Sequence, residues 1–284
     1  MVNPVKTLEQ TSLDSIGHSF QEAFKDYPSR WDRHELETLL NRRGFKPELS
    51  FGIFEENEMV SFILNGIGMF NGLKTAYDSG TGTLQKYQGR GYASQILRHT
   101  VLVLQEHGIQ QYLLEVLKDN EPAIALYRKM GFTISREFNY FRQDKEYITR
   151  SASSSEFRVA EIGIPDAEVV KPFWDFQPSW QNHFDALTRP LSGTFLGFGA
   201  FKDQSLVGYC IIDIASGDLS QIAVHRDFRR KGAGSSLLNT TLEHNQYPSL
   251  KVVNTEVHCT SITGFMKSRN IQLQAKQLEM ICKL

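Results

Sequence analysis

The sequence predicts two tandem domains of mixed α/β class, each built on a mixed sheet. Three observations carry this. Sliding the chain against itself by 141 residues aligns Gln88 with Arg229, Gly91 with Gly232, Ala93 with Gly234 and Leu97 with Leu238, and brings "LEV" (114–116) onto "TEV" (255–257) without a gap. Helical and strand-like periodicities alternate along both halves. Between them lies the polar, serine-rich stretch "QDKEYITRSASSSEF" (143–157), which reads as a surface linker. A repeat this long signals two copies of one domain and not a solenoid of short units. The expected boundaries are 1–144, a linker at 145–156, and 157–284.

In the first half, "LDSIGHSFQEAF" and "WDRHELETLLNRRG" carry helical spacing, with Gly44 as the stop. "SFGIFEE" and "MVSFILNGI" read as strands joined by a turn, and "LKTAYDSGTGTL" as a third strand. After the loop "LQKYQGRGYAS", a helix presents Ala93, Ile96, Leu97, Val101 and Leu104 on one face and closes at Gly108. "QYLLEVL" is a strand, "EPAIALYRKM" a short helix opened by Asn120, and "FTISREFNYF" the last strand. The second half follows the same order through "GTFLGFGAFKD", "SLVGYCIIDIA", "DLSQIAVH", a helix at 233–244, "LKVVNTEVH", a short helix near 262–268 and "IQLQAKQLEMICKL". Upstream, "FKDYPSRW" (24–31) is echoed by "WDFQPSW" (174–180).

Composition narrows the function classes. With 40% hydrophobic and 22% charged residues the chain is of ordinary globular make-up, and its formal net charge of −1 supplies no bulk attraction to nucleic acid or an anionic membrane. Three cysteines, without metal-ligand spacing, fit reduced thiols in a cytoplasmic setting. The N-terminus has no secretory apolar core, and no apolar run reaches the roughly 18 residues of a membrane span. No metal, nucleic acid or membrane is expected as a partner.

The glycine loops invite a phosphate. A Walker loop would need Gly-Lys-Ser/Thr, which neither copy has. A dinucleotide fingerprint would need a third glycine in register, although Glu115 falls at a tempting distance for its acidic residue. The pattern Gln/Arg-x-x-Gly-x-Gly/Ala is met twice, by Gln88-Gly89-Arg90-Gly91-Tyr92-Ala93, with Ser94 following, and by Arg229-Arg230-Lys231-Gly232-Ala233-Gly234. Small residues let backbone N–H groups approach a diphosphate, and the following helix points its positive end at the same anion. The plain alternative is a tight strand-to-helix turn that binds nothing.

With these loops and "LLEVLKDNEPAIALYRKMGF" (113–132), the sequence resembles the GCN5-related N-acetyltransferases, once per half. The first half most resembles the members that acetylate N-terminal amines of ribosomal proteins. The resemblance implies acetyl-CoA as cofactor, its diphosphate on the glycine loops, and a primary amine of a small molecule or peptide as acceptor. It places Thr81, Gly82 and Thr83, and Ile222, Ala223 and Val224, on the strand beside acetyl-CoA, with Gly82 departing from the usual apolar run. Asn120 matches the family's cofactor-contacting asparagine, or is a plain helix cap.

Acyl transfer to an amine needs a base, since a lysine-type amine has a pKa of about 10.4. It also needs an N–H donor for the oxyanion, and an acid for the leaving thiolate. Tyr127 occupies the place of the family's tyrosine acid; the plain alternative is aromatic packing. Glu115, twelve residues earlier, is the expected base, with Asp78 on the preceding strand as its rival. The second half keeps Glu256 but puts Phe265 or Met266 where the tyrosine belongs and lacks the asparagine. The first half is therefore the expected catalyst, and the second holds acetyl-CoA without turning it over, or uses water or another acid; the alternative is a binding protein, one or both halves serving as an acyl-CoA sensor or scaffold. Aromatics at Tyr27, Trp31, Phe173, Trp174, Phe176 and Trp180 hint at an apolar or aromatic acceptor.

Overall fold

The computed structural model describes residues 4–25, 32–152, 155–189 and 193–284. The chain runs β1 (Val5–Thr7), α1 (Leu13–Ala23), α2 (Arg33–Arg43), β2 (Phe51–Glu55), β3 (Glu58–Phe70), β4 (Leu73–Thr83), α3 (Tyr92–Glu106), β5 (Gln111–Leu117), α4 (Glu121–Lys129) and β6 (Thr133–Asp144). It continues β7 (Arg158–Glu161), α5 (Ala167–Val170), α6 (Phe184–Thr188), β8 (Phe195–Lys202), β9 (Ser205–Asp213), β10 (Asp218–Val224), α7 (Ala233–His244), β11 (Ser249–Glu256), α8 (Thr260–Ser268) and β12 (Gln272–Lys283). The short elements β1, β7, α5 and α6 lack the periodicity that would reveal them in the sequence. Among the described residues no helix is long and apolar enough to cross a membrane.

The chain divides into two compact units, and they are not the two continuous halves. One comprises Met1–Ser135, Arg189–Leu191 and Leu278–Leu284; the other comprises Arg136–Thr188 and Ser192–Gln277. In the first unit the strand order is β1-β2-β3-β4-β5, followed by the last residues of β12; in the second it is β6-β11-β10-β9-β8-β7. Most of β6 thus belongs to the second unit, and the last half of β12 to the first. Described residues of the expected linker, 145–156, pack within the second unit. The Thr149 N–H donates to the Arg269 carbonyl at 2.9 Å, Asn239 Nδ2 donates to the Ser151 carbonyl at 2.7 Å, and Ile148 is buried in the second unit's core.

In the first unit β3 is shared between two layers, its alternation interrupted by a bulge at Val60, where the β2 register passes from Ser61 to Met59. Val60 and Ile63 pack with Ile96, Leu97 and Leu104 of α3, while Met59, Phe62 and Leu64 pack with Ile16 and Phe20 of α1 and Leu36 and Leu40 of α2. Asp32 and Glu35 form a reciprocal capping box at the start of α2, and Gly44, left-handed at φ 77°, ends it. In the second unit, β9 sends Cys210 and Ile212 to the layer under α7 and Tyr209 and Ile211 to the opposite layer with Phe173 and Phe184. Burial pushes the Cys210 thiol up to about 12.

Candidate active site

In the first unit the parallel ladder joins β4 to β5 over Thr75–Asp78 and Gln111–Leu114. β4 then continues to Thr83 and β5 to Leu117, so two strand ends flank the start of α3. A bulge falls at Ser79, where the β3 register passes from Asp78 to Gly80; bulges of this kind re-aim side chains beside active sites. Gly82 departs from an apolar run for a steric reason. A Cβ there would lie 2.5 Å from Phe62 Cζ and 2.9 Å from Ala23 Cβ.

The loop that follows has fixed geometry. Gln88 Nε2 donates to the Thr83 carbonyl at 3.2 Å, tying the loop to its strand. Gly89 and Gly91 are left-handed at φ 77° and 80°, which L side chains rarely adopt. Arg90 lies over the Tyr87 ring at 4.8 Å and 3.6 Å from Glu55 Oε1, which also accepts the Tyr92 hydroxyl. Ala93 and Ser94 lie in the first turn of α3, whose N-cap is Gly91 and has no side-chain cap.

Polar side chains converge at the bulge. The Tyr127 hydroxyl, buried in α4, donates to Asp78 Oδ2 at 3.0 Å. Thr81 Oγ1 donates to the same oxygen at 2.6 Å, and the Gly80 N–H to Oδ1 at 2.9 Å. Burial raises the Asp78 carboxyl above its ordinary range, against the lowering effect of these hydrogen bonds. Beside it the Tyr77 hydroxyl donates to Glu115 Oε2 at 3.2 Å, and burial first, then the Glu115 charge, pushes the Tyr77 phenol well up. Asn120 caps α4, its Oδ1 accepting the Ala123 N–H at 3.2 Å. Of the sequence-selected residues, the structure joins Tyr127 directly to Asp78 and joins Glu115 to Tyr77. It was Tyr77 and the Ser79 bulge that sequence reasoning missed; the bulge leaves no signal in residue types.

The second unit repeats the frame and changes its contents. Ser220 is bulged between Leu219 and Gln221, as Ser79 is in β4, so Leu219 stands where Asp78 stands and Ile222 where Thr81 does. The Ile271 N–H donates to the Met266 carbonyl as the Phe132 N–H does to that of Tyr127, so Met266, not Phe265, holds the tyrosine's place. Cys259 replaces Asn120 at the helix N-cap and makes no side-chain cap there. Glu256 pairs with Arg136 at 3.2 Å. Arg229 Nε donates to the Val224 carbonyl at 2.9 Å, as Gln88 does to Thr83. Its other nitrogens grip both Asp175 oxygens, at 3.0 and 2.9 Å, and the Phe173 carbonyl at 3.1 Å. The guanidinium therefore braces the loop. Burial raises the Asp175 carboxyl, but hydrogen bonds from Ser261 and Arg229 outweigh it and leave the group below its usual range. Arg230 adopts φ 63° where the first loop has Gly89, and Gly232 φ 104°; Lys231 lies over Phe228 at 5.6 Å.

A cavity of about 790 Å³ opens in this unit. It is lined by Ile222, Ala223 and Val224 of β10, by Arg229, Arg230, Gly232 and Gly234 of the loop, and by Phe173, Trp174 and Phe176 of the aromatic segment. Trp180 is buried instead, while Tyr27 and Trp31 lie outside the described residues.

The two loops fit a CoA diphosphate. α1, α2, α4 and α5 have side-chain caps from Ser12, Asp32, Asn120 and Asp166. α3 and α7 begin on left-handed glycines without one, so their first-turn N–H groups face outward for a ligand's oxygens. A Cβ on Gly89 or Gly91 would meet nothing within 4 Å, leaving the approach open.

Comparison with known proteins agrees with this geometry. The Arabidopsis thaliana N-alpha-acetyltransferase MAK3 is 26% identical over 95 residues, 34% of this chain and 50% of that protein, so the match spans half of the relative's length. The Escherichia coli [ribosomal protein bS18]-alanine N-acetyltransferase is 29% identical over 145 residues, 48% of this chain and 87% of that one. A tandem GNAT protein from the clavulanic acid biosynthesis pathway superposes with a TM-score of 0.75 at 13% identity, covering 99% of this chain and 98% of its own, and so shares the fold. The model of the acetyltransferase (GNAT) family matches residues 17–132 and again 158–257, more than half of the chain. The chain belongs to the GNAT acetyltransferase family and carries its domain twice.

Proposed function

We propose that the first unit transfers an acetyl group from acetyl-CoA to a primary amine of a small molecule or peptide, by direct attack in a ternary complex. The observation that carries this is the Tyr127–Asp78 hydrogen bond, buried beside Glu115 at the divergent ends of β4 and β5. Bound acetyl-CoA supplies the acetyl group as a thioester; Thr81–Thr83, the loop residues 88–94 and Asn120 hold it. Glu115 Oε2 takes the proton of the attacking amine. Tyr127 Oη carries the proton that a departing thiolate needs, and Asp78 positions that hydroxyl. The named activities of the relatives favour an N-terminal amine as the acceptor class. We infer a cytoplasmic setting, in keeping with three free cysteines.

A second reading belongs to the second unit alone. It keeps the uncapped helix and the loop, yet has Leu219 and Met266 in place of Asp78 and Tyr127, which favours a sensor or scaffold that binds acyl-CoA. The test of the whole proposal is a screen of amines, N-terminal peptides and aminoglycosides for free-thiol release from acetyl-CoA. Turnover that disappears in Tyr127→Phe supports it. Full turnover in Tyr127→Phe, abolished instead by breaking the 229–234 loop, would move the reaction to the second unit.

A further inference from the structure

Asp78, Thr81 and Tyr127 are one hydrogen-bonded group in the first unit; the matching places in the second hold Leu219, Ile222 and Met266. Leu219 and Met266 are buried in a single core cluster, and Leu219 and Ile222 face the cavity. Farther along, its wall is aromatic, and the polar atoms there are engaged. Trp174 Nε1 donates to the Tyr209 hydroxyl at 2.6 Å, which itself donates to Gln221 Oε1, and Asp175 is held by Arg229.

The same cavity also has cationic lining. Arg230 and Arg269 line it beside the first turn of α7. Arg269 donates to Ser235 Oγ of that turn at 2.5 Å and lies over the Phe265 ring at 5.5 Å. Its Nε is buried without a hydrogen-bond partner, an arrangement that suits an anionic ligand. The first unit has Met130 at the corresponding C-cap of α4.

We propose that the second unit binds a CoA thioester whose acyl group is an apolar chain longer than acetyl, and holds it without transferring it. The inference rests on the reading of the glycine loops as CoA cradles. Leu219, Ile222 and Met266 offer no proton and no hydrogen bond to a reacting amine, and Leu219 and Ile222, on the cavity wall, gain from covering methylenes. The cavity is of a size that encloses an amphiphile, anionic at one end and apolar at the other. A chain that displaces water from this wall gains roughly fourfold in affinity per buried methylene.

The test uses the full chain, titrated by calorimetry with CoA, acetyl-CoA and octanoyl-CoA, and hydrogen–deuterium exchange to locate each ligand. Octanoyl-CoA is expected to bind at least about fifty-fold more tightly than acetyl-CoA and to protect residues 219–224 and 260–269. Ile222→Asp should erase that preference, and Arg269→Gln should weaken all three ligands by a similar factor. Equal affinity for octanoyl- and acetyl-CoA, protection confined to 78–94, or a folded Ile222→Asp protein that keeps the preference would each overturn the proposal. Thiol release from octanoyl-CoA by the Tyr127→Phe protein would overturn the holding role. If none of the three ligands binds, the cradle reading fails as well; acetyl transfer without an octanoyl preference sinks this inference alone.

Discussion

Tyr127 Oη donates to Asp78 Oδ2 across 3.0 Å, so the candidate acid and the rival candidate base belong to one group. A buried carboxylate that accepts from a phenol fixes its orientation, so the pair acts as a unit. Glu115 sits next to them through Tyr77. Under the proposed function this arrangement would divide the labour, Asp78 fixing the Tyr127 hydroxyl and Glu115 taking up the amine proton.

Tyr127→Phe removes one hydroxyl and keeps the ring packed against Phe132, whose centroid lies 5.6 Å away. Acid assistance is worth about 10²–10⁴-fold, so kcat should fall by that order while acetyl-CoA binding, measured by calorimetry, stays near the parent value. A loss of binding in step with kcat would assign Tyr127 to packing.

Asp78→Asn should show in the pH dependence of stability. Burial raises the Asp78 carboxyl in the folded chain, above its value of about 3.9 when unfolded. The folded state therefore holds the proton longer, and this group's contribution falls as the pH rises from the unfolded toward the folded value. Removing the charge should flatten that descent and leave Tm at neutral pH equal or higher. Thermal unfolding from pH 4 to 8 decides; a Tm at neutral pH that drops relative to the parent would show that its hydrogen bonds outweigh burial.

Glu115→Gln should act on the reaction instead. With the proton acceptor gone, the rising limb of the pH–rate profile should move to higher pH, toward the acceptor amine's own pKa, about 7.7–8.0 for an N-terminal amine or about 10.4 for a lysine-type group. An unchanged limb would leave Asp78 as the base.

The glycines separate conformational from steric demands. Gly89→Ala and Gly91→Ala place a Cβ in open space at φ 77° and 80°, so each should destabilise by only about 1 kcal/mol. Gly82→Ala drives a Cβ to 2.5 Å from Phe62 Cζ, and overpacking of this kind costs about 1–3 kcal/mol. Denaturant midpoints should rank Gly82→Ala as the most damaging of the three.

What the sequence disclosed and what it hid follow from the range of the interactions. The helix at 233–244 was legible to the residue because its cause is local, an apolar face behind a glycine N-cap. So was the pairing of Gln88 with Arg229, which keep the same backbone job in both loops. The bracing of Arg229 by Asp175 spans 54 positions, and no local pattern encodes it. The two closing strands carry ordinary alternation, which fixes their faces but not their neighbours, so their exchange between units stayed invisible. The Ser79 and Ser220 bulges shift register without changing composition, yet they establish that Leu219 answers to Asp78.

That correspondence can be tested by rebuilding the pair. Met266→Tyr alone buries a hydroxyl opposite Leu219, and an unsatisfied buried donor costs about 1–3 kcal/mol. Leu219→Asp alone buries a carboxylate without its phenol. If Met266 and Leu219 occupy the places of Tyr127 and Asp78, the double variant should recover part of both losses, giving a coupling of about 0.5–3 kcal/mol in a double-mutant cycle read by chemical denaturation. Strict additivity would mean that the two side chains do not meet. Even with coupling restored, no acetyl transfer is expected from the second unit, because Glu256 remains paired with Arg136 at 3.2 Å.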